Sequence, residues 1–352
     1  MSRSTDSGAD VDVDVLVAGG GPVGLAAAIG ARAAGLSVAV VEPRVSPVDK
    51  ACGEGLMPAA VRELGRLGVA VDGRPFLGIR YLAPGRSVAA RFRDGPGLGV
   101  RRTVLHGALD QRARELGVDR IAGSVGSVVQ DGSIVSAAGM RARWLIAADG
   151  LHSGVRRELG LDVPPKPRTS ARFGLRRHVA MVPWSSYVEV YWGPRSEAYV
   201  TPVSESLVGV AVLTGREGRS FDDLLADFPA LAARLRHAPA ATPVRGAGPF
   251  RQIARAQLLG RVLLVGDAAG YHDALTGEGI AVGLATAREA VASIAADRPQ
   301  DYPAAWSRVT RRYRWSSSAL LTGTQQPLLR RALVPAASAL PRVFGLAVNH
   351  VA

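Results

Sequence analysis

A cluster of glycines near the N-terminus constrains the fold more than any other feature of the sequence. Residues 11–18 (VDVDVLVA) alternate and then run apolar, which predicts a buried strand, and the chain then breaks into the glycine-rich segment 19–24 (GGGPVG). Small residues continue to Ala34, and a second apolar run from Ser37 to Val41 ends at Glu42. This order predicts a strand–helix–strand unit at the start of a parallel sheet.

The same unit meets the requirements of a dinucleotide site. Glycines allow a tight turn, close approach of the backbone to a pyrophosphate and close packing of helix on strand, while the helix N-terminus faces the anion. Glu42 follows Gly24 by about twenty residues, where a carboxylate can accept both ribose hydroxyls. Taken alone, the unit fits either FAD or NAD. The predicted contacts are Gly19, Gly21, Pro22, Val23, Gly24, Glu42, Pro43 and Arg44.

The composition argues against several other classes of function. The formal charge is +13 in 352 residues, but the positive residues are almost all arginine, with lysine only at Lys50 and Lys166. Because no dense basic run is present, we attribute the charge to composition rather than to a nucleic-acid surface. A single cysteine, Cys52, excludes an internal disulfide, and six scattered histidines indicate no metal site. The polar residues 1–10 predict a disordered tail without a signal peptide, and hence a cytoplasmic protein.

Changes in periodicity divide the chain into interleaved parts. From Arg172 to Leu213 the apolar residues follow a period of two, which predicts antiparallel sheet, and residues 261–270 (RVLLVGDAAG) then restore a buried strand that runs into a helix. We therefore expect an α/β fold, with a Rossmann-like parallel-sheet domain, an inserted antiparallel-sheet substrate domain and C-terminal helices. The expected boundaries are a tail at 1–10, nucleotide-binding segments 11–75, 98–160 and 258–300, substrate segments 76–97 and 161–257, and C-terminal helices in 301–352. Within the substrate domain we expect one helix at about 221–235. The C-terminal segment should form one or two helices, broken by Pro327, Pro335 and Pro341.

Two later motifs resemble those of flavoprotein hydroxylases of the p-hydroxybenzoate hydroxylase type. Residues 147–156 (AADGLHSGVR) fit the D-G-x-x-S-x-x-R signature, and residues 266–280 (GDAAGYHDALTGEGI) fit the flavin-contacting segment, with Ala274 where many members carry proline. The resemblance implies FAD as the cofactor. It also implies that residues 147–156 support both the FAD pyrophosphate and a nicotinamide donor, and that Asp267 binds a ribityl hydroxyl of FAD. The residues so implied are Asp149, Gly150, Ser153, Arg156, Gly266, Asp267, Gly277, Gly279 and Ile280. A strand end and a helix cap are the alternative roles of Asp149 and Ser153.

A segment after the second strand narrows the resemblance. Residues 49–58 (DKACGEGLMP) and 197–202 (EAYVTP) resemble the geranylgeranyl-reductase-like branch and related bacterial monooxygenases of polyketide or quinone pathways. The resemblance implies that Arg102 touches the flavin, although an exposed arginine at a helix start fits equally well. Cys52 is a candidate proton donor or a small buried thiol. Tyr199 is a candidate catalytic residue, or a packing aromatic, on a strand whose alternate residues face the flavin in this architecture.

The sequence leaves three functions open. The sequence has one nucleotide-binding fingerprint, and FAD occupies it. NAD(P)H would therefore bind only transiently, without a domain of its own. The leading hypothesis is an NAD(P)H- and O2-dependent monooxygenase that hydroxylates an aromatic or polyketide-type molecule in bacterial secondary metabolism. The alternatives are an FAD-dependent reductase of a prenyl or other C=C bond and a non-catalytic flavin-binding accessory protein. The expected partner is a small molecule of the aromatic polyketide, quinone or prenyl type, and no nucleic acid. The basic C-terminal helices could contact a membrane, but a charged face exposed to water is the favoured interpretation of their arginines.

Overall fold

The computed structural model describes residues 11–164, 171–215 and 217–352, so the predicted tail and Lys166 lie outside the described residues. The strands are β1 (Val13–Ala18), β2 (Val38–Glu42), β3 (Gly55–Leu56), β4 (Arg74–Phe76), β5 (Gly78–Ala83), β6 (Arg86–Arg91), β7 (Gly97–Gly99), β8 (Asp119–Ala122), β9 (Val128–Gln130), β10 (Val135–Ala137), β11 (Met140–Ala147), β12 (Phe173–Ala180), β13 (Val188–Trp192), β14 (Ser196–Pro202), β15 (Leu207–Thr214), β16 (Arg245–Ala247), β17 (Gln252–Ile253), β18 (Leu258–Leu259), β19 (Val262–Leu264) and β20 (Gly270–Tyr271). The helices are α1 (Pro22–Ala33), α2 (Pro58–Arg66), α3 (Arg102–Glu115), α4 (Gly154–Glu158), α5 (Phe221–Leu225), α6 (Pro229–Leu235), α7 (Gly279–Ala295), α8 (Tyr302–Gln325), α9 (Pro327–Ala339) and α10 (Pro341–Val351), with short 3-10 turns at Gly266–Ala269 and Pro299–Asp301.

The first sheet has a parallel centre, as the glycine-rich unit predicts. Its order is β18-β19-β11-β1-β2-β8, in which β19, β11, β1, β2 and β8 run parallel, while β9 and β10 extend β11 antiparallel. Strand β2 is buried along its whole length, because it lies between β1 and β8 in the sheet and packs against α1, and this burial explains its unbroken apolar run. The predicted α/β class is confirmed.

The second sheet departs from the prediction at one pair of strands. Its order is β16-β12-β15-β14-β13-β5-β6, and every pair is antiparallel except β13 and β5, where Val188 pairs with Ile79 in parallel. Residues 172–213 alone predict an antiparallel sheet because each of their strands follows the last through a short turn. The β5–β6 hairpin comes from a distant segment of the chain, so no turn fixes its direction.

Helical segments near the C-terminus also differ from expectation. The predicted helix at 221–235 is two short helices, because Pro229 starts α6 and disfavours helix at the residue before it. Residues 302–351 form three helices rather than one or two, with Pro327 and Pro341 at the first turns of α9 and α10. Pro335 lies inside α9 without ending it. Arg330, five residues before this proline, fixes α9 to the β13–β14 turn by donating to Gly193 O and Ser196 O.

None of the described helices is by itself both long enough and apolar enough to cross a membrane. Helices α9 and α10 reach that length and apolar composition only when taken together, and the pair is bent by 107°.

Candidate functional site

A cavity of about 1450 Å³ lies at the carboxyl ends of the parallel strands. Its wall includes the residues that follow β1, β2, β11 and β19, together with β5, β13 and β14 of the second sheet and helices α8 to α10. Crevices at this edge of a doubly wound sheet are the usual ligand sites of such folds. The volume exceeds the roughly 300–1,000 Å³ of an ordinary small-molecule pocket, so the cavity has room for a dinucleotide together with a second ligand.

The glycines of segment 19–24 serve different purposes. Gly19 has φ +99°, and a Cβ there would lie 2.6 Å from the carbonyl oxygen of Ala148, so the turn requires glycine. A Cβ on Gly24 would overlap the carbonyl oxygen of Gly19, and Gly24 therefore allows α1 to pack on β1 without lining the cavity. Gly21 has ordinary backbone angles and does line the cavity, as do Gly19, Pro22 and Val23.

Glu42, Pro43 and Arg44 line the cavity at the end of β2. Glu42 is buried, accepts a hydrogen bond from the Gly20 amide at 2.9 Å and pairs with Arg44 Nε at 2.7 Å. Burial alone would raise the pKa of Glu42, but hydrogen bonds from Arg44 and from the Gly20 amide lower it below its ordinary value. The carboxylate is therefore ionised at neutral pH. Both of its oxygens accept hydrogen bonds from Arg44 or the Gly20 amide, so a ribose hydroxyl would bind by displacing part of the exposed Arg44 side chain.

The second motif divides into residues on the wall and residues behind it. Asp149 and Gly150 line the cavity. Asp149 Oδ2 accepts from the Val155 amide at 3.0 Å, whereas Oδ1 is buried without a hydrogen-bond partner among the described residues. Ser153 does not line the cavity and caps α4 by accepting from the Arg156 amide at 2.9 Å. The alternative role of Ser153 as a helix cap is thus the one its contacts support.

Arg156 also lies behind the wall. Its side chain is 1% exposed and pairs with Asp162 at 2.7 Å. It donates to Ala268 O and Leu151 O, each at 3.1 Å, and to Gln252 Oε1 at 2.9 Å. The guanidinium therefore joins the second motif to the third, and its contribution to a cofactor would be to position both.

Replacing Arg156 by methionine should lower the free energy of unfolding of the apoprotein by about 3 kcal/mol, because several buried acceptors lose their donor. The matched variant Arg157→Met alters an exposed neighbour whose guanidinium donates to His152 O at 3.3 Å, and should change stability by less than about 0.5 kcal/mol. Denaturant unfolding measures both. Weakened FAD binding at unchanged stability would instead indicate direct contact between Arg156 and the cofactor.

The third motif brings an acid and a helix N-terminus to the cavity. Asp267, Gly277, Gly279 and Ile280 line it, whereas Gly266 packs against Val23 behind it. Burial raises the pKa of Asp267, although the nearby cations Lys50 and Arg102 oppose the shift. Gly279 and Ile280 open α7, so the amides and the positive end of the helix dipole face the cavity.

Arg102 lines the cavity at the start of α3. Its Nε is buried without a hydrogen-bond partner in the described part of the chain. This donor and the unpaired Oδ1 of Asp149 are orphan polar atoms on the wall of one cavity. FAD supplies matching groups, since its phosphates accept hydrogen bonds and its hydroxyls donate them, so the residues present fit this cofactor.

Cys52 lines the cavity next to a buried polar cluster that the sequence does not reveal. Burial raises the pKa of its thiol, and its sulfur accepts from the Glu54 amide at 3.4 Å. Glu54 is buried at φ +59°, uncommon for a residue other than glycine, and its carboxylate binds His178 Nε2 and the Arg102 amide. The sequence feature that could have indicated this polar cluster is that Arg176 and His178 occupy alternate, buried positions of β12.

Tyr199 lines the cavity, but its hydroxyl donates to Leu275 O at 2.9 Å. Burial raises the pKa of Tyr199 well above its ordinary value. The hydroxyl is thus committed to holding the 271–277 loop, and we assign Tyr199 a positioning role rather than a proton-donor role.

Glu278 adds a pH-sensitive carboxyl beside the glycines of this loop. It is 7% exposed, and its Oε2 has no hydrogen-bond partner within the described residues. Burial raises its pKa from 4.5 to about 7, although a hydrogen bond with Thr276 opposes the shift. The folded protein therefore keeps a proton that the unfolded chain has lost, so this group's contribution to stability falls as pH rises from 4.5 to about 7.

Replacing Glu278 by glutamine removes this pH dependence. Relative to the wild type, the variant should gain about 3 kcal/mol of stability between pH 4.5 and pH 7. Denaturant unfolding at a series of pH values, with Glu289→Gln as the control, measures the difference. A stability difference that stays constant with pH would contradict the buried position of this carboxyl.

Helices α8, α9 and α10 complete the cavity with an apolar wall, which no motif in the sequence predicts. Their contributions include Trp315, Leu320, Leu329, Leu333, Phe344 and Val348. Polar groups from the three motifs occupy the part of the wall at the strand ends, so one cavity combines a nucleotide-binding part and an apolar part.

The parallel sheet, the glycine turn and the orphan polar groups together define a dinucleotide-binding flavoprotein. A family model described as an FAD binding domain matches residues 107–297, more than half of the chain, and the chain belongs to that family. It is an FAD-dependent oxidoreductase, and the predicted resemblance to the monooxygenase and geranylgeranyl-reductase-like superfamily is confirmed.

Comparisons with known proteins agree. The chain is 32% identical over 343 residues to a menaquinone reductase of Mycolicibacterium smegmatis, covering 83% of this chain and 79% of that protein. It is 27% identical over 300 residues to digeranylgeranylglycerophospholipid reductase 1 of Methanothermobacter thermautotrophicus, covering 78% and 74%. The crystal structure of p-nitrophenol 4-monooxygenase from Pseudomonas putida superposes with a TM-score of 0.78 at 20% identity, covering 96% of this chain and 98% of that one, which shows a shared fold.

Proposed function

We propose that this protein is an FAD-dependent reductase of a C=C bond in the isoprenoid chain of a lipid-like substrate, such as a prenylated quinone. The observation that carries the proposal is the apolar wall that α8, α9 and α10 add to the flavin cavity. Reduction of a C=C bond, an alternative in the sequence analysis, is thus favoured over hydroxylation, the leading hypothesis there. We further propose that the protein acts in the cytoplasm, with NAD(P)H as a transient electron donor.

The lining of the cavity suits a long hydrocarbon chain. Leu320, Leu329, Leu333 and Val348 present aliphatic side chains to it, and residues 302–352 contain no Asp or Glu. A wall made mostly of aliphatic side chains stabilises an isoprenoid chain through burial of apolar area, at roughly 25 cal/mol per Å². The names of the two relatives also support reduction, since one is a reductase of menaquinone and the other of a digeranylgeranyl lipid.

The residues of the cavity provide what such a reduction requires. Reduced FAD, when bound, supplies a hydride. Cys52 is suited to deliver the accompanying proton, because its raised pKa keeps the thiol protonated at neutral pH. In the balanced reaction two C–H bonds form as the C=C π-bond breaks, NAD(P)H is oxidised, and solvent restores the proton to Cys52.

Hydroxylation of an aromatic molecule is the second candidate, and the aromatic side chains on the wall favour it. Phe250 and Tyr271 form an edge-to-face pair with centroids 5.9 Å apart, and the Tyr81 and Phe344 rings lie 4.8 Å apart. Flat aromatic substrates pack well against such rings. This candidate requires O2 as a substrate, whereas the reductase does not, and that difference separates the two.

Steady-state turnover tests the proposal. The FAD-loaded enzyme, NADH or NADPH and a detergent-solubilised prenylated quinone are incubated without oxygen, and the product is analysed by mass spectrometry. We expect a product heavier by two hydrogens, and none from the matched quinone with a saturated side chain. Turnover only with oxygen, with one oxygen atom in the product, would replace the proposal with hydroxylation. An FAD-loaded protein that converts no substrate of either class would favour the accessory role.

A further inference from the structure

We infer that the outer face of α8, α9 and α10 docks on an anionic lipid bilayer. This C-terminal apolar face consists of six exposed large hydrophobic residues, Trp315, Leu328, Leu329, Leu340, Val343 and Leu346. The inference goes beyond the proposed reaction, because it rests on the exposed surface and on charge rather than on the chemistry of the cavity.

Exposed apolar side chains are concentrated on these helices. Twelve large hydrophobic residues are exposed in the described part of the chain, and half of them lie between residues 315 and 346. The other six are scattered singly over different loops, strands and helices, as is normal for protein surfaces. A clustered set is typical of an interaction site instead.

The C-terminal apolar face is also the rim of the cavity. Trp315, Leu329, Leu340, Val343 and Leu346 are exposed to solvent and line the cavity as well. Whatever covers this face therefore covers the entrance to the apolar part of the cavity. A bilayer in this position would let an apolar ligand enter without crossing water.

The charge of residues 302–352 indicates what binds the C-terminal apolar face. Residues 302–352 carry seven arginines and no acidic residue. Of these arginines Arg330 is buried against Glu197, whereas Arg311, Arg314, Arg331 and Arg342 are exposed. Juxtamembrane arginines attract anionic headgroups. A second copy of this chain would bring the same positive charge to the same face, so like-charge repulsion across the interface disfavours a dimer here.

The lengths of the helices indicate how the face would bind. With 13 and 11 residues, α9 and α10 are about 20 and 16 Å long, shorter than the roughly 30 Å hydrocarbon core of a bilayer. They also meet at a bend of 107°. Helices of this kind lie in the interface, with leucine and tryptophan in the acyl region and arginine among the headgroups.

Vesicle flotation tests the inference without any substrate. The FAD-loaded protein is mixed with vesicles of phosphatidylcholine alone or of phosphatidylcholine with phosphatidylglycerol. We expect flotation with the anionic vesicles, weakened by salt, and little with the neutral ones. The double variant Leu328→Asp/Arg331→Glu changes residues that do not line the cavity, and should bind about tenfold more weakly or worse.

A matched control makes the same changes elsewhere. Val129→Asp/Arg236→Glu alters an exposed valine on β9 and an exposed arginine after α6, and should float like the wild type. No flotation of the wild type, equal flotation with neutral vesicles, or equal loss in both double variants would overturn the inference. So would a dimer of the free protein that Leu328→Asp/Arg331→Glu dissociates. Turnover of detergent-solubilised substrate, measured on the same proteins, reports separately on the proposed reaction.

Discussion

Replacing Gly21 by valine should weaken FAD binding at least a hundredfold, by about 3 kcal/mol, while the apoprotein stays folded. Gly21 has φ −70° and ψ 175°, angles that any residue adopts, so the backbone tolerates the change. A Cβ at this position meets only Arg102 Nη2, at 3.8 Å, and projects into the cavity. A branched side chain would therefore fill the space that a pyrophosphate needs. Titration of the apoprotein with FAD measures the affinity.

A matched variant separates this effect from a general loss of stability. Gly65→Val changes a glycine of α2 whose Cβ would have no heavy atom within 4 Å, so FAD affinity should stay within a factor of two of wild type. Both apoproteins are compared by thermal unfolding. If Gly21→Val retained normal FAD affinity, the assignment of the glycine turn to the pyrophosphate would be wrong.

Replacing Cys52 by alanine should lower the rate of substrate reduction about a hundredfold or more, which is the usual contribution of a general acid. Flavin reduction by NAD(P)H should be unaffected, since that half-reaction needs no proton from the thiol. Rapid-mixing measurements of the two half-reactions separate these steps. Cys52→Ser keeps the size of the side chain but is a much weaker acid, and should be impaired nearly as strongly.

The pH dependence of the same step provides a second readout. Burial raises the pKa of the Cys52 thiol above its ordinary 9.0, so the acid stays protonated through neutral pH. The substrate-reducing step should be constant with pH up to that value and then decline as the thiol loses its proton. A decline centred near neutral pH, or an identical profile in Cys52→Ala, would assign the proton to another group.

Local motifs were predictable because each is a single strand–turn–helix unit. The positions of Gly19 and Glu42 on the cavity wall follow from their spacing along the chain, which needs no knowledge of distant segments. The same reasoning could not distinguish residues that line the cavity from residues that lie behind its surface. Gly24, Ser153 and Arg156 belong to the motifs as firmly as their neighbours, yet they lie behind the cavity surface, because their positions depend on packing between segments.

Two larger features depend on contacts that sequence patterns do not contain. The Glu54 and His178 pair joins positions 124 residues apart, and only the three-dimensional course of β12 brings the imidazole to the carboxylate. The apolar wall of α8, α9 and α10 likewise has no motif. Helical periodicity shows that these helices have an apolar side, but not that the side faces a cavity rather than a core.

An anaerobic single-turnover experiment tests the central claim most directly. The bound FAD is reduced photochemically, and one equivalent of detergent-solubilised prenylated quinone with an unsaturated side chain is added in the absence of oxygen. The account predicts that the absorbance of oxidised flavin returns and that one double bond is saturated per flavin. Flavin that stays reduced until oxygen is admitted, followed by a product that contains an added oxygen atom, would contradict it.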